Sequence, residues 1–355
     1  MSGLKQSRMN INYYKTYYKA KFRDRYRKTY KPVQSLYKSV GILDPSIGTT
    51  NLGDLIIMDA VVKVLDEVFP TDQKIKFPTQ LYTDFDTRSK LEMQDYVFVG
   101  GTNLLASNLD TRHQWKIHPG MKNRQELNLI LLGTGWWQYQ HQPNAYTSAL
   151  LGSVLSKKYL HSVRDAYTAE KLKGVGISNV VNTACPTMWE LNDNHCSNIR
   201  VSKANNVITT LTSYKRDIEK DSWLLNTLAS KYEDVHIWVQ GLEDVDYMEE
   251  LDIDKLRFKL IPPTLTHFNK ALMQEDVEYV GTRLHAGIRA LQLKKRCVIV
   301  AVDNRALEIS RDTNLNVIAR ENVNSVVDFI DHDYTTRINL PLQNIQNWKA
   351  QFQIN

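Results

Sequence analysis

From residue 40 onward the chain alternates short apolar runs with segments of helical periodicity, and that alternation restricts the fold more than any other feature. The first set of runs covers 39–44, 95–99, 128–132, 159–163 and 180–183, with helical spacing over 55–69, 145–155 and 166–174. After a polar stretch at 192–202 the pattern restarts. Its second set of runs is 207–211, 235–240, 256–260, 277–280 and 297–301, with helices expected at 221–231, 267–274 and 284–293. Continuous apolar runs of this length are strands buried on both faces, and their alternation with helices means β-α-β units in parallel sheets. The expected class is therefore α/β, with two Rossmann-like domains facing a cleft, at 39–198 and 199–330. A last amphipathic segment, 340–353, is expected to form a closing helix within 331–355. In such sheets ligands lie beyond the carboxyl ends of the strands. The strand-to-helix turns are accordingly where chemistry is sought.

Charge singles out one further segment. The whole chain has 45 Lys and Arg against 39 Asp and Glu. Residues 1–40 hold eleven of the basic groups and a single acid, Asp24, so the excess belongs to a leader of about residues 1–38. A nucleic-acid binder would carry its basic residues on the folded domains as well, and none is expected here. Tyr14, Tyr18, Phe22, Tyr26 and Tyr30 recur every four residues, with Lys15, Lys19, Arg23 and Arg27 following the first four by one. On a helix this makes an aromatic stripe flanked by cations. It suits an anionic membrane surface, and it equally suits docking on the chain's own domain or a solvated basic arm. No apolar run is long enough to span a membrane or resembles a signal peptide, so a cytoplasmic protein is expected, peripheral to the inner membrane face if the leader binds lipid. Cys185, Cys196 and Cys297 lack C-x-x-C spacing, and His113, His118 and His141 match no zinc pattern; neither a disulfide framework nor a metal is assigned.

Five turns carry candidate chemistry. The first, 45–54, runs from a strand into a long helix and ends in Asn51-Leu52-Gly53-Asp54. It is neither G-x-G-x-x-G nor a P-loop, which leaves Asp54 as a helix cap or as a carboxylate able to accept a hydroxyl proton. The second is Val99-Gly100-Gly101-Thr102, whose glycines suit close backbone approach. The third, Gly133-Thr134-Gly135-Trp136-Trp137, places adjacent tryptophans at a strand's carboxyl end; with Trp115 they are candidates for stacking on a sugar. The fourth is Gly281-Thr282-Arg283-Leu284-His285-Ala286, in which Arg and His open a helix. A guanidinium and an imidazole at a helix N-terminus suit phosphate or carboxylate, and the alternative is a surface Arg beside a capped His. Arg289, one turn on, would extend the positive patch. Ser162-Val163-Arg164-Asp165 repeats the arrangement, with Arg164 either in the cleft or paired to Asp165.

Taken in order, Asn51-Leu52-Gly53-Asp54, Val99-Gly100-Gly101, Gly133-Thr134-Gly135, Ser162-Val163-Arg164-Asp165 and Arg283-Leu284-His285-Ala286 resemble the polysaccharide pyruvyl transferase family. The resemblance implies a glycosyltransferase-B-like pair of domains. It also implies transfer of pyruvate from phosphoenolpyruvate to two hydroxyls of a sugar, in a cell-surface polysaccharide or its lipid-linked precursor, as a cyclic ketal with release of phosphate. No cofactor beyond that donor is implied. By this similarity Arg283, Leu284, His285 and Arg164 face the donor, His285 is the proton donor and Asp54 the acceptor-side base. Asn51, Gly101 and Thr102 join the acceptor side; Trp115, Trp136 and Trp137 are added on chemical grounds. The chain departs from the family at Cys185-Pro186, where an Asp usually precedes the Pro, and at Val302-Asp303-Asn304-Arg305, where Arg305 stands in for a Lys as a phosphate contact. A nucleotide-sugar glycosyltransferase of the same architecture and a non-catalytic glycan-binding scaffold are the alternatives. The second half lacks the E-x₇-E spacing of several such glycosyltransferases, and the intact Arg283-Leu284-His285 argues against a scaffold.

Overall fold

The computed structural model describes residues 37–82, 85–112, 114–117 and 128–353. The basic aromatic leader falls outside them except for Tyr37 and Lys38, as do His113 and His118. The first sheet contains β1 (Ser39–Asp44), β2 (Gln73–Pro78), β3 (Tyr96–Gly100) and β4 (Leu129–Leu132), all parallel, in the order β2-β1-β3-β4. β5 (His161–Val163) and β6 (Val180–Asn182) form a parallel pair that continues it through a bridge between Thr134 and Val163. The second sheet contains β7 (Asn206–Thr209), β8 (Asp234–Trp238), β9 (Phe258–Ile261), β10 (Val277–Gly281), β11 (Cys297–Ala301) and β12 (Val317–Ala319), in the order β12-β11-β10-β7-β8-β9. Helices connect successive strands, as parallel pairing demands, except between β3 and β4, where the described residues form no helix. The architecture is α/β with two parallel sheets, in a glycosyltransferase-B-like pair.

Every apolar run expected to be a strand is one, within two residues at most ends. Two strands escaped the reading. β2 is a half-exposed edge strand with alternating Lys, and β12 is only three residues long; neither presents a continuous apolar run. Helices Phe85–Glu92, Leu242–Glu249 and Asn304–Thr313 were also missed, being dominated by charged residues.

Glycines at the ends of β3 and β4 allow helix and strand to approach closely. Gly101 has φ of +46°, and a Cβ there would come within 2.0 Å of Ile57 Cγ2 on helix Gly53–Val68. Gly133, φ +69°, would meet Pro186 at 2.1 Å in the same way. The expected closing helix is Leu342–Ala350. It returns to the first sheet, where Trp348, fully buried, packs edge-on to Phe98 of β3, and Phe352 joins Phe69 and Tyr96. Removing a fully buried Trp leaves a large void, so Trp348→Ala should lower unfolding free energy by about 3–5 kcal/mol. Urea denaturation measures this; an effect no larger than that of a surface substitution would mean the closing helix contributes nothing to the first sheet.

Candidate active site

In each sheet there is one point where the chain leaves neighbouring strands in opposite directions: between β1 and β3 in the first, and between β7 and β10 in the second. Such switch points open a crevice beyond the strand ends. The turns after these four strands face one another across a cavity of about 730 Å³. Asn51, Asp54 and Thr102 line it from the first sheet, with Gln80 and Trp137 beside them; Tyr214, Lys215, Arg283 and Arg305 line it from the second. An inner pocket of about 20 Å³ shares Asn51, Tyr214, Arg283 and Arg305 with it and is closed by Gln240, Leu284 and His285.

Asp54 is not the side-chain cap of its helix. Helix Gly53–Val68 begins one residue earlier, with Leu52 at the N-cap and no side chain capping it. The carboxylate instead accepts from Thr49 Oγ1 at 2.8 Å and Gln80 Nε2 at 3.3 Å, and its Oδ1 has no hydrogen-bond partner. Burial raises its pKa above the ordinary 3.8, although the Thr49 hydroxyl opposes the shift. A buried carboxylate of raised pKa facing a cleft is the form a general base takes.

Arg283 occupies the N-cap of helix Leu284–Gln292, which also lacks a side-chain cap. Its guanidinium is anchored: Nη2 donates to both oxygens of Asp244 at 2.8 and 3.1 Å, and Nε donates to the Leu211 carbonyl at 2.7 Å. Asp244 also accepts from the backbone N–H of Ser213 and Gln240, which ties the Arg283 position to the loop after β7. Arg305 is gripped by Asp303, with Nε 2.9 Å from each oxygen, and donates to the Tyr214 hydroxyl at 2.5 Å. The Tyr214 ring lies 5.0 Å from the Arg283 guanidinium, so the two arginines share one aromatic neighbour.

His285 lines the inner pocket, not the main cavity. Burial, with the Arg164 and Arg305 charges adding to it, pushes its imidazole down to about 3. Its Nε2 lies 3.7 Å from Cys185 Sγ, where an acidic neighbour would have favoured the charged form. Cys185 is buried and its thiol pKa is raised, first by burial, so it is a neutral packing residue.

Several expected site residues lie elsewhere. Arg164 is fully buried behind the cavity wall, where it donates to Asp165 and to Asn103; a Cβ on Gly135 would strike it at 2.1 Å, so that glycine makes room for the guanidinium. It reaches the cavity only through Asn103. Gly101 packs on Ile57 and does not line the cavity. Trp115 and Trp136 are buried in the first core, the latter donating to Gln140. Of the three tryptophans only Trp137 borders the cavity, with the Arg112 guanidinium 3.4 Å from its ring centre. Arg289 does not extend the positive patch: it pairs with Asp59 at 2.5 Å beside a separate cavity. The residues that the sequence reading missed, Gln80, Gln240, Asp244, Tyr214 and Lys215, follow β2, β8 and β7. Only the rule that turns beyond strand ends carry chemistry could have pointed to them. Among the described residues no group of three or more His, Cys, Asp or Glu is placed to hold a metal ion, and no helix is long and apolar enough to cross a membrane.

The model of the polysaccharide pyruvyl transferase family matches residues 51–304, from the Asp54 turn through both sheets. The chain belongs to that family. Membership assigns it a pyruvyl transfer role in polysaccharide biosynthesis, and with that a glycan acceptor. No curated protein matches the sequence significantly. Among solved structures, S. aureus MnaA in complex with UDP is similar, with a TM-score of 0.51 and 13% identity over 88% of this chain and 91% of that one. UDP-GlcNAc 2-epimerase from Neisseria meningitidis gives 0.43 and 12% over 89% and 94%, and E. coli heptosyltransferase WaaC gives 0.37 and 11% over 82% and 99%. The MnaA likeness shows the shared fold.

A buried imidazole kept neutral has a consequence for stability. The unfolded chain binds a proton on His285 near pH 6.5, whereas the fold refuses it down to about 3. His285 therefore contributes stability at neutral pH that is lost as pH falls through that window. His161, fully buried and pushed down to about 4 by burial, acts in the same direction. In urea unfolding at neutral and mildly acidic pH, His285→Asn should lose less stability on acidification than the native protein. Equal losses would show that His285 takes up its proton at the same pH in the folded and the unfolded chain.

Proposed function

We propose that the cavity transfers pyruvate from phosphoenolpyruvate to two hydroxyls of a glycan, forming a cyclic ketal and releasing phosphate. The observation that carries this reading is the meeting of a cation-rich wall with a buried carboxylate across one cleft. Arg283, Arg305 and Lys215 line the side formed by the second sheet, and Asp54 lines the side formed by the first. Phosphoenolpyruvate is small and highly anionic, and convergent guanidiniums at an uncapped helix N-terminus are what such a ligand requires. Arg283 and Arg305 are preorganised by Asp244 and Asp303, so little side-chain entropy is lost on binding.

The chemistry divides between the two sides. Asp54 takes the proton of one sugar hydroxyl, whose oxygen bonds to C2 of the donor, while the methylene carbon takes a proton from His285. The second hydroxyl then bonds to the same carbon as the C2–O bond to phosphate breaks, and its proton passes to His285, which the first step has left neutral. His285 is neutral in the empty site; a dianion beside it favours the imidazolium, so the donor would charge its own acid. Trp137, Asn51 and Thr102 border the acceptor side. Acid and base should each contribute roughly 10²–10⁴-fold to the rate.

A lipid-linked acceptor would lie at the inner membrane face, and the basic aromatic leader fits that surface. The full chain should pellet with anionic vesicles at low salt, and a variant lacking residues 1–36 should not; equal pelleting would dismiss that role.

The donor is tested by thermal shift. A ligand at about 100 times its dissociation constant adds about 2.7 kcal/mol of stability. Phosphoenolpyruvate should raise the melting temperature of the native protein and of Asp54→Asn but not of Arg283→Ala. Stabilisation by nucleotide sugars in place of phosphoenolpyruvate would overturn the reading.

A further inference from the structure

Gln240 follows β8 and closes the inner pocket, yet its side chain does nothing for the fold. The residue is 3% exposed, and both the nitrogen and the oxygen of its amide lack a hydrogen-bond partner. A buried amide with both ends unpartnered is costly, and an unpaired polar group in a native protein calls for a reason. Its backbone is held firmly, because its N–H donates to Asp244 Oδ2 at 3.1 Å. Asp244 therefore positions both Gln240 and Arg283.

What the amide shares its pocket with supplies the reason. Helix Leu284–Gln292 is nine residues long and starts at this pocket, and no side chain caps its N-terminus. Its first N–H groups are thus available to an anion. Arg283 lines the pocket, and its Nη1 makes no hydrogen bond among the described residues; Arg305 stands on the other side. The pocket, at about 20 Å³, has room for one or two oxygen atoms but not for a phosphoryl group with three. The adjoining cavity of about 730 Å³ takes the larger group easily.

We infer that this inner pocket is a carboxylate subsite, in which Gln240 donates an amide N–H to the carboxylate of a small phosphorylated acid whose phosphate lies outward, toward Arg305 and Lys215. The inference rests on the phosphoenolpyruvate reading above and deepens it: it names the end of the donor that enters first and the residue that tells a phosphorylated acid from a simple phosphate. A carboxylate so placed also lies beside His285, the group that must become charged.

Isothermal titration with two ligands separates the two ends of the donor. Phosphoenolpyruvate carries both anionic groups, and glycerol 2-phosphate carries the phosphate alone. Gln240→Met keeps the size and removes the amide, and Gln240→Glu sets a carboxylate against the ligand's own. In Gln240→Met the affinity for phosphoenolpyruvate should fall roughly tenfold, as expected for a lost hydrogen bond to a charged group, while that for glycerol 2-phosphate stays unchanged. In Gln240→Glu phosphoenolpyruvate binding should be lost and glycerol 2-phosphate binding retained, which also shows that the variant is folded. In turnover, KM for phosphoenolpyruvate should rise with kcat nearly unaltered. Equal losses for both ligands would place Gln240 with the phosphate or make its role structural. No loss for either would leave the pocket unused. Both results overturn the subsite while preserving the donor reading; a native protein that binds neither ligand would instead overturn the donor reading itself.

Discussion

Helix Gly53–Val68 of the first sheet packs against helix Leu284–Gln292 of the second, and the geometry of the cleft depends on that contact. Ile56 is fully buried among Leu284, Ile288 and the rest of the second core, although it belongs to the first sheet's leading helix. Both helices start at the cleft. Their packing therefore sets the position of Asp54 relative to Arg283 and His285 without requiring any direct contact between the charged groups. The positive φ at Gly101 and its missing Cβ let the first helix lie close to β3, so the constraint extends into the first sheet. The closing helix, anchored by Trp348, returns the chain to the sheet it left.

Around that frame the charges are held in place before any ligand arrives. Arg283 is fixed by Asp244, Arg305 by Asp303 and Arg164 by Asp165, each carboxylate largely buried. Pairing of this kind compensates the desolvation of a buried guanidinium, which alone would be prohibitive. It also leaves donors of Arg283 directed at the cavity while reducing its net positive potential. His285 has no such partner. Burial and the charges of Arg164 and Arg305 outweigh the opposing charge of Asp303 and keep it neutral at neutral pH; an incoming anion would shift that balance.

The strands were legible because both faces of each are covered. Continuous apolar runs such as 97–99 and 297–301 match strands whose side chains are buried on both faces. β2 and β12 were not legible, since an edge strand can alternate with lysine and a three-residue strand carries no period. The site was legible in part. Asp54, Arg283, Leu284, His285, Asn51, Thr102, Trp137 and Arg305 all line the main cavity or the inner pocket, as turns beyond strand ends should. Trp115, Trp136, Arg164 and Gly101 do not. Whether a tryptophan at a strand's end faces a core or a cleft depends on which neighbouring strand covers it, and adjacent residues such as Trp136 and Trp137 differ for that reason alone.

Local pattern thus determined the α/β class, the two sheets, the turn positions and the ordered motifs that mark the family, because hydrophobic period and helix-start chemistry act over a few residues. Tertiary structure decided the rest: that Arg283 is anchored by Asp244, that His285 is neutral, and that an amide at Gln240 is left unpartnered beside them. Burial and pairing join residues tens to hundreds of positions apart, and the free energies of charged groups depend on those distances, which no local pattern encodes.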